Sequence, residues 1–249
     1  MTKKLLEINN LKKDYHTLNG EVKAIDNITM DVYDQEFICI VGSSGCGKST
    51  LLNILADLDI PSSGTIKKDK DLKIGYMLQD DALFPWLSIL DNALLGLNIT
   101  NSLTEKNINY VKHLLKTYGL EDFIYKYPDQ LSGGMKKRVA LIRTLATKPD
   151  ILLLDEPFSA LDYQSRLAVA DDVYRIIKNE KKTAIMITHD IAEAISLADR
   201  IIVLSKRPSI VKNVYAIELT NKDSPANNRK AKEFFEYYDA IWKDLDIFV

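Results

Sequence analysis

The residues from Gly42 to Thr50, Gly-Ser-Ser-Gly-Cys-Gly-Lys-Ser-Thr, fit the pattern GxxxxGK[ST] in full. Chemistry on phosphate asks for these types at this spacing. Gly42, Gly45 and Gly47 let backbone N–H groups turn inward, and the residues between them (Ser43, Ser44, Cys46) complete the cradle. Lys48 reaches the outer phosphates, the Ser49 hydroxyl suits Mg²⁺, and Thr50 closes the loop as a helix begins. A second group lies at Ile151-Leu152-Leu153-Leu154-Asp155-Glu156-Pro157, an apolar run ending in two acids. Asp155 is placed to serve a Mg²⁺ shell and Glu156 to polarise an attacking water. A third is Leu131-Ser132-Gly133-Gly134-Met135, a capping serine and two glycines that open a helix. It reads as a second anion site, which one nucleotide on an ordinary kinase or GTPase does not need.

Those elements must hold the loops apart and in order. Leu5–Leu11 and Ile28–Val32 alternate loosely, as strands do. Phe37-Ile38-Cys39-Ile40-Val41 is continuously apolar, as expected of a strand covered on both faces, and a helix from Lys48 to about Ala56 follows the glycine loop. Pro61-Ser62-Ser63-Gly64 reads as a turn. Strand signals then give way to helices expected at Leu87 to Leu97, at Asn107 to Tyr118 and after Ser132. Strands resume at Ile151–Leu154, Ala184–Thr188 and Arg200–Leu204. The alternation predicts an α/β fold with a mostly parallel sheet and a helical insertion. The expected division is one domain over 1–249, with a core of 1–79 and 147–220, a helical lobe at about 80–146 and a helical tail at 221–249. In the tail, Phe234, Tyr238, Ile241, Trp242 and Leu245 share a face that should pack on the core.

The Leu131–Met135 segment resembles the LSGGQ signature of the ABC ATPase family, with Met in its last position. The resemblance extends from Leu5 to about Leu204 and implies a P-loop NTPase core with an N-terminal antiparallel region. It implies ATP and Mg²⁺ as ligands, and Ser132, Gly133 and Gly134 covering the γ-phosphate of ATP bound to a second copy. Tyr15 resembles the aromatic that stacks on adenine. Gln79 resembles the glutamine that senses Mg²⁺ and water. Ser159-Ala160-Leu161-Asp162 resembles the loop crossing the dimer interface, and His189 the histidine that contacts the γ-phosphate. Asp57 departs from the glycine that ends the first helix in many relatives, which puts that helix end in question.

Composition narrows the classes. Thirty-five acidic against thirty-three basic residues leave a formal net charge of −2, so nothing in the total charge draws the chain to nucleic acid. Two cysteines, Cys39 and Cys46, are too few for a secreted disulfide framework. Cys46 lies beside a helix N-terminus, where thiols gain reactivity, so alkylation there is expected to block ATP binding. No apolar run nears the ~20 residues of a membrane span. Work at a membrane would need a partner, at its cytoplasmic face.

Three further segments are similar to cassettes that serve nitrate, sulfonate and taurine importers: Gln79 to Trp86, Asp155 to Gln164 and Ala198 to Ser205. The resemblance implies a homodimer sandwiching two ATP, integral permease subunits and an extracytoplasmic solute-binding protein. In the family the region of Phe84, Pro85 and Trp86 receives a short helix from the permease, and Trp86→Ala is expected to weaken assembly more than basal hydrolysis. An exporter cassette shares the catalytic motifs, and an iron–sulfur assembly ATPase is close in size. The docking loop and the importer-like segments weigh against the latter. A P-loop kinase would lack Leu131–Gly134 and His189.

Overall fold

The computed structural model describes residues 3–18, 20–159, 161–220 and 222–245. In chain order these form β1 (Lys4–Thr17), β2 (Gly20–Tyr33), β3 (Phe37–Val41), α1 (Lys48–Leu55), β4 (Ser63–Lys68) and β5 (Ile74–Met77). The helices α2 (Ile89–Ile99), α3 (Glu105–Thr117) and α4 (Gly133–Ala146) come next. They are followed by β6 (Ile151–Asp155), α5 (Tyr163–Asn179), β7 (Thr183–Thr188), α6 (Ile191–Leu197), β8 (Arg200–Leu204), β9 (Ser209–Ala216), α7 (Pro225–Asn228) and α8 (Phe234–Asp244).

The strands make one sheet in the order β4-β1-β2-β9-β8-β3-β7-β6-β5. From β8 through β3, β7, β6 and β5 the pairing is parallel, whereas β1 pairs antiparallel with β2 and β4. β9 joins the two regions, antiparallel to β8 and parallel to β2. Along β3, Phe37, Cys39 and Val41 enter the core on one face while Ile38 and Ile40 enter the other. That two-sided burial is why β3 reads as an unbroken apolar run. The first core takes in α2 through α6 and α8, and the second α1 and the β1–β2 ribbon.

Several local expectations shift. β1 and β2 run well beyond Leu5–Leu11 and Ile28–Val32, with bulges that blur their alternation. Ser63 and Gly64 open the exposed edge strand β4 rather than only a turn, and β9, mostly solvent-facing, has no clear apolar signature. Ser88 caps α2 by accepting from Asp91 N at 3.1 Å, so that helix starts two residues later than its apolar stripe. Asp57 takes the left-handed backbone (φ 58°) that glycine would favour, and its carboxylate pairs with Lys68. In the tail Phe234, Ile241 and Leu245 are buried, while Trp242 is 38% exposed and stacks on Tyr238. Thus α8 packs on the core by a narrower face than its sequence stripe.

Candidate nucleotide site

The turn between β3 and α1 is shaped by two left-handed glycines, Gly45 (φ 72°) and Gly47 (φ 109°). A Cβ on Gly47 would lie 3.1 Å from Ala24 O, so glycine is what lets the loop rest against β2. Lys48 is buried inside the turn, donating to Gly42 O at 2.8 Å and Ser43 O at 3.0 Å. A cavity of about 280 Å³ opens over the loop, walled by its residues Ser44 to Thr50 other than Cys46, with Tyr15, Val22 and Ala24 on one side and Glu156 and Arg207 closing it. Tyr15 is held by Asp59 Oδ2, which its hydroxyl meets at 2.8 Å, and Lys13 Nζ lies 4.7 Å from its ring centre.

Cys46 departs from expectation. Its side chain is buried in the second core, and burial pushes the thiol up rather than down. The helix N-terminus does not win here because desolvation of a thiolate outweighs the nearby Lys48 charge. Cys46 is therefore a packed core thiol and not an activated one.

Asp155 ends β6 in a half-dry position, where burial raises its carboxyl even as Tyr76 and the Ser49 hydroxyl donate to it. Glu156 follows with a left-handed backbone (φ 41°), its N–H donating to Ile187 O at 3.1 Å on β7. Left-handed backbone at a non-glycine residue is strained and persists where surrounding contacts hold it. This bend turns the Glu156 carboxylate toward the cavity and to His189 Nδ1 at 3.2 Å, just past β7. Gln79 lies just past β5 and donates from Nε2 to Ser159 Oγ at 3.3 Å, not to the Ser49–Asp155 pair.

The signature is elsewhere. Ser132 caps α4 by accepting from Met135 N at 3.3 Å, and Ser132 and Gly133 face solvent. A Cβ on Gly134 would fall 2.8 Å from Val169 Cγ2 on α5, so this glycine also serves close helix packing. Asp162 caps α5 through Ser165 N at 3.0 Å and is exposed. Among the described residues, Ser132, Gly133, Gly134 and Asp162 do not line the chain's own cavity. Ala160 lies outside the described residues.

Residues 25–159 match the family described as ABC transporter. The nitrate import ATP-binding protein NrtD of Synechocystis is 39% identical, over 95% of this chain and 93% of its own length. The taurine import ATP-binding protein TauB of Roseobacter denitrificans is 36% identical, over 93% and 89%. Among solved structures, the dimeric cassette MJ0796 bound to ADP and Pi superposes with a TM-score of 0.72 at 32% identity, covering 86% of this chain and 99% of that one. This chain is an ABC ATPase.

Within this ATPase, sequence reasoning missed Arg207. It stands on the turn between β8 and β9, held at the cavity because the buried Ser209 hydroxyl donates to Ala24 O at 3.3 Å. Its motif-free surroundings gave no local signal, and its place depends on β9 joining β2. No helix among the described residues is long and apolar enough to cross a membrane. The Phe84–Trp86 segment stands out instead: Trp86 is 69% exposed, with Phe84 against it at 5.1 Å between ring centres.

Proposed function

We propose that this ATPase powers import of a small solute of the nitrate, sulfonate or taurine kind through separate permease subunits, from the cytoplasmic face of the membrane. The observation that carries the assembly is the separation of the signature from the cavity. Ser132, Gly133 and Gly134 do not line the chain's own nucleotide cavity, and Ser132 and Gly133 are exposed, which supports their serving a second copy. The dimeric state of the MJ0796 cassette supports the same arrangement. The import direction rests on the names of the nitrate and taurine relatives.

The geometry supports the following roles. The Tyr15 ring offers a face for adenine. The turn from Gly42 to Thr50 and Lys48 hold the phosphates, and Arg207 adds a cation at the rim. Glu156 orients and deprotonates water, and His189, bonded to it at 3.2 Å, keeps that carboxylate aimed. The Ser49 hydroxyl and Asp155 carboxylate are hard oxygen donors already in contact, a fit for Mg²⁺ bound by few protein ligands. Mg²⁺ would supply charge neutralisation on the phosphates. Gln79, through Ser159, is placed to report on the state of the Glu156 loop. Asp162 would lie at the interface with the second copy. Closure of two copies on ATP draws the permease to its outward-facing state, hydrolysis resets it, and a solute-binding protein delivers cargo.

The test is a pull-down of the tagged chain from gently solubilised native membranes, followed by mass spectrometry. A polytopic membrane protein with an extracytoplasmic binding protein is the expected result. Trp86→Ala should lose that partner while keeping basal ATP hydrolysis within about twofold. A purely soluble set of partners would overturn the transport reading and leave the ATPase intact.

A further inference from the structure

Lys137 is 2% exposed, an ammonium buried in the first turns of α4. Burying a charge is unfavourable unless it is paired and hydrogen-bonded, so its partners show what it is there to hold. It donates to Gln79 O at 2.6 Å and pairs with Asp81 Oδ1 at 3.0 Å. Two turns further along α4, Arg143 donates to Asp81 O at 2.7 Å and Ala82 O at 2.6 Å. One helix thus grips the segment Gln79–Ala82 at four points. That segment is not relaxed: Ala82 has φ 46°, a left-handed backbone that a residue with a Cβ keeps only when held. The same helix begins at Ser132–Gly134, and Lys137 stands one turn beyond Gly133, on its side of α4. At the far end of the gripped segment's reach, Gln79 Nε2 bonds Ser159 Oγ, three residues past Glu156.

We propose that Lys137, with Asp81 and Arg143, is a positioning clamp by which the helix bearing the signature sets the place of Gln79, so that engagement of the signature by a second copy is passed to the Glu156 loop. The clamp rests on the nucleotide-site reading above. It acts through backbone carbonyls and the half-buried Asp81 carboxylate, so a shift of α4 cannot leave Gln79 behind without stranding the ammonium. Lys137 touches neither the phosphate loop nor the cavity, so its loss should leave ATP binding alone and disturb turnover.

The experiment is steady-state ATP hydrolysis by the full chain as Lys137→Met, Lys137→Arg and Asp81→Asn, with thermal melting of each. For Lys137→Met, kcat should fall about tenfold or more while KM for ATP stays within about twofold, and Lys137→Arg should restore part of the rate. If Lys137→Met does not fold, Asp81→Asn carries the same kcat-against-KM split. In a Glu156→Gln background, ATP should still drive dimerisation of the Lys137→Met chain, because neither interface nor cavity is altered. Unchanged kcat, or loss of that ATP-driven dimer, overturns the clamp. So does a joint fall of kcat, affinity and melting temperature that Lys137→Arg does not relieve, which marks a purely structural lysine. A Lys48→Ala chain that binds ATP as well as the native one would instead overturn the nucleotide-site reading.

Discussion

Cys46 and Glu193 show how burial decides chemistry at single residues. Both cysteines are buried, and desolvation raises both thiols, Cys39 well above the ordinary value. Iodoacetamide should therefore leave both unlabelled in the folded chain within the time that labels them completely in denaturant, as read by intact mass. Rapid loss of nucleotide binding on alkylation would contradict this. Glu193 is 4% exposed on α6, accepting from Thr188 Oγ1 at 2.9 Å, and burial lifts its carboxyl to about 7. The folded chain then holds a proton that the unfolded chain has released, between about pH 4.5 and 7. Stability contributed by this group is present below that window and falls as pH rises through it, by on the order of 1–3 kcal/mol. Glu193→Gln removes the term, so its melting temperature relative to the native chain should rise from pH 5 to pH 8. A difference independent of pH would show that Glu193 titrates normally.

Among elements, α2 and α4 carry the loops that matter most. Asn92, fully buried in α2, binds Phe84 on both sides, accepting from its N at 2.8 Å and donating to its O at 3.1 Å, and also donates to Leu87 O and Ser88 O. It is what holds the exposed Phe84–Trp86 segment in shape. Asn92→Ala should cost about 2–4 kcal/mol in denaturant unfolding, because it strands several buried polar groups at once. At the start of α4, Gly134→Ala should cost about 1–3 kcal/mol through its clash with Val169, and Val169→Ala should relieve most of that in the double variant. Failure of the relief would place the strain in the backbone instead.

For the whole molecule, the arrangement that matters is a cavity over the phosphate loop that Ser132, Gly133 and Gly134 do not line. Glu156→Gln should slow hydrolysis while leaving the phosphate loop intact. With ATP, that variant should sediment as a dimer and return to monomer when Lys48→Ala is added. A monomer at high ATP would mean that assembly needs the permease first.

The phosphate loop, the paired acids after Leu154, the capping Ser132 and the histidine after β7 were all legible in the residue order. The first three are short local patterns whose chemistry needs neighbours in sequence, whereas His189 is a lone residue legible only through the family resemblance. The apolar run Phe37–Val41 marks a strand covered on both faces because it too is local. Other features depended on contacts between distant segments. Burial of Cys46 requires β1 and β2 to close over α1. Arg207 reaches the cavity because β9 joins β2, and Lys137 finds Gln79 and Asp81 because α4 crosses beside the end of β5. Periodicity reports which face of an element is apolar, but desolvation and ion pairing are set by what arrives from elsewhere in the chain, and that was decided by the tertiary fold.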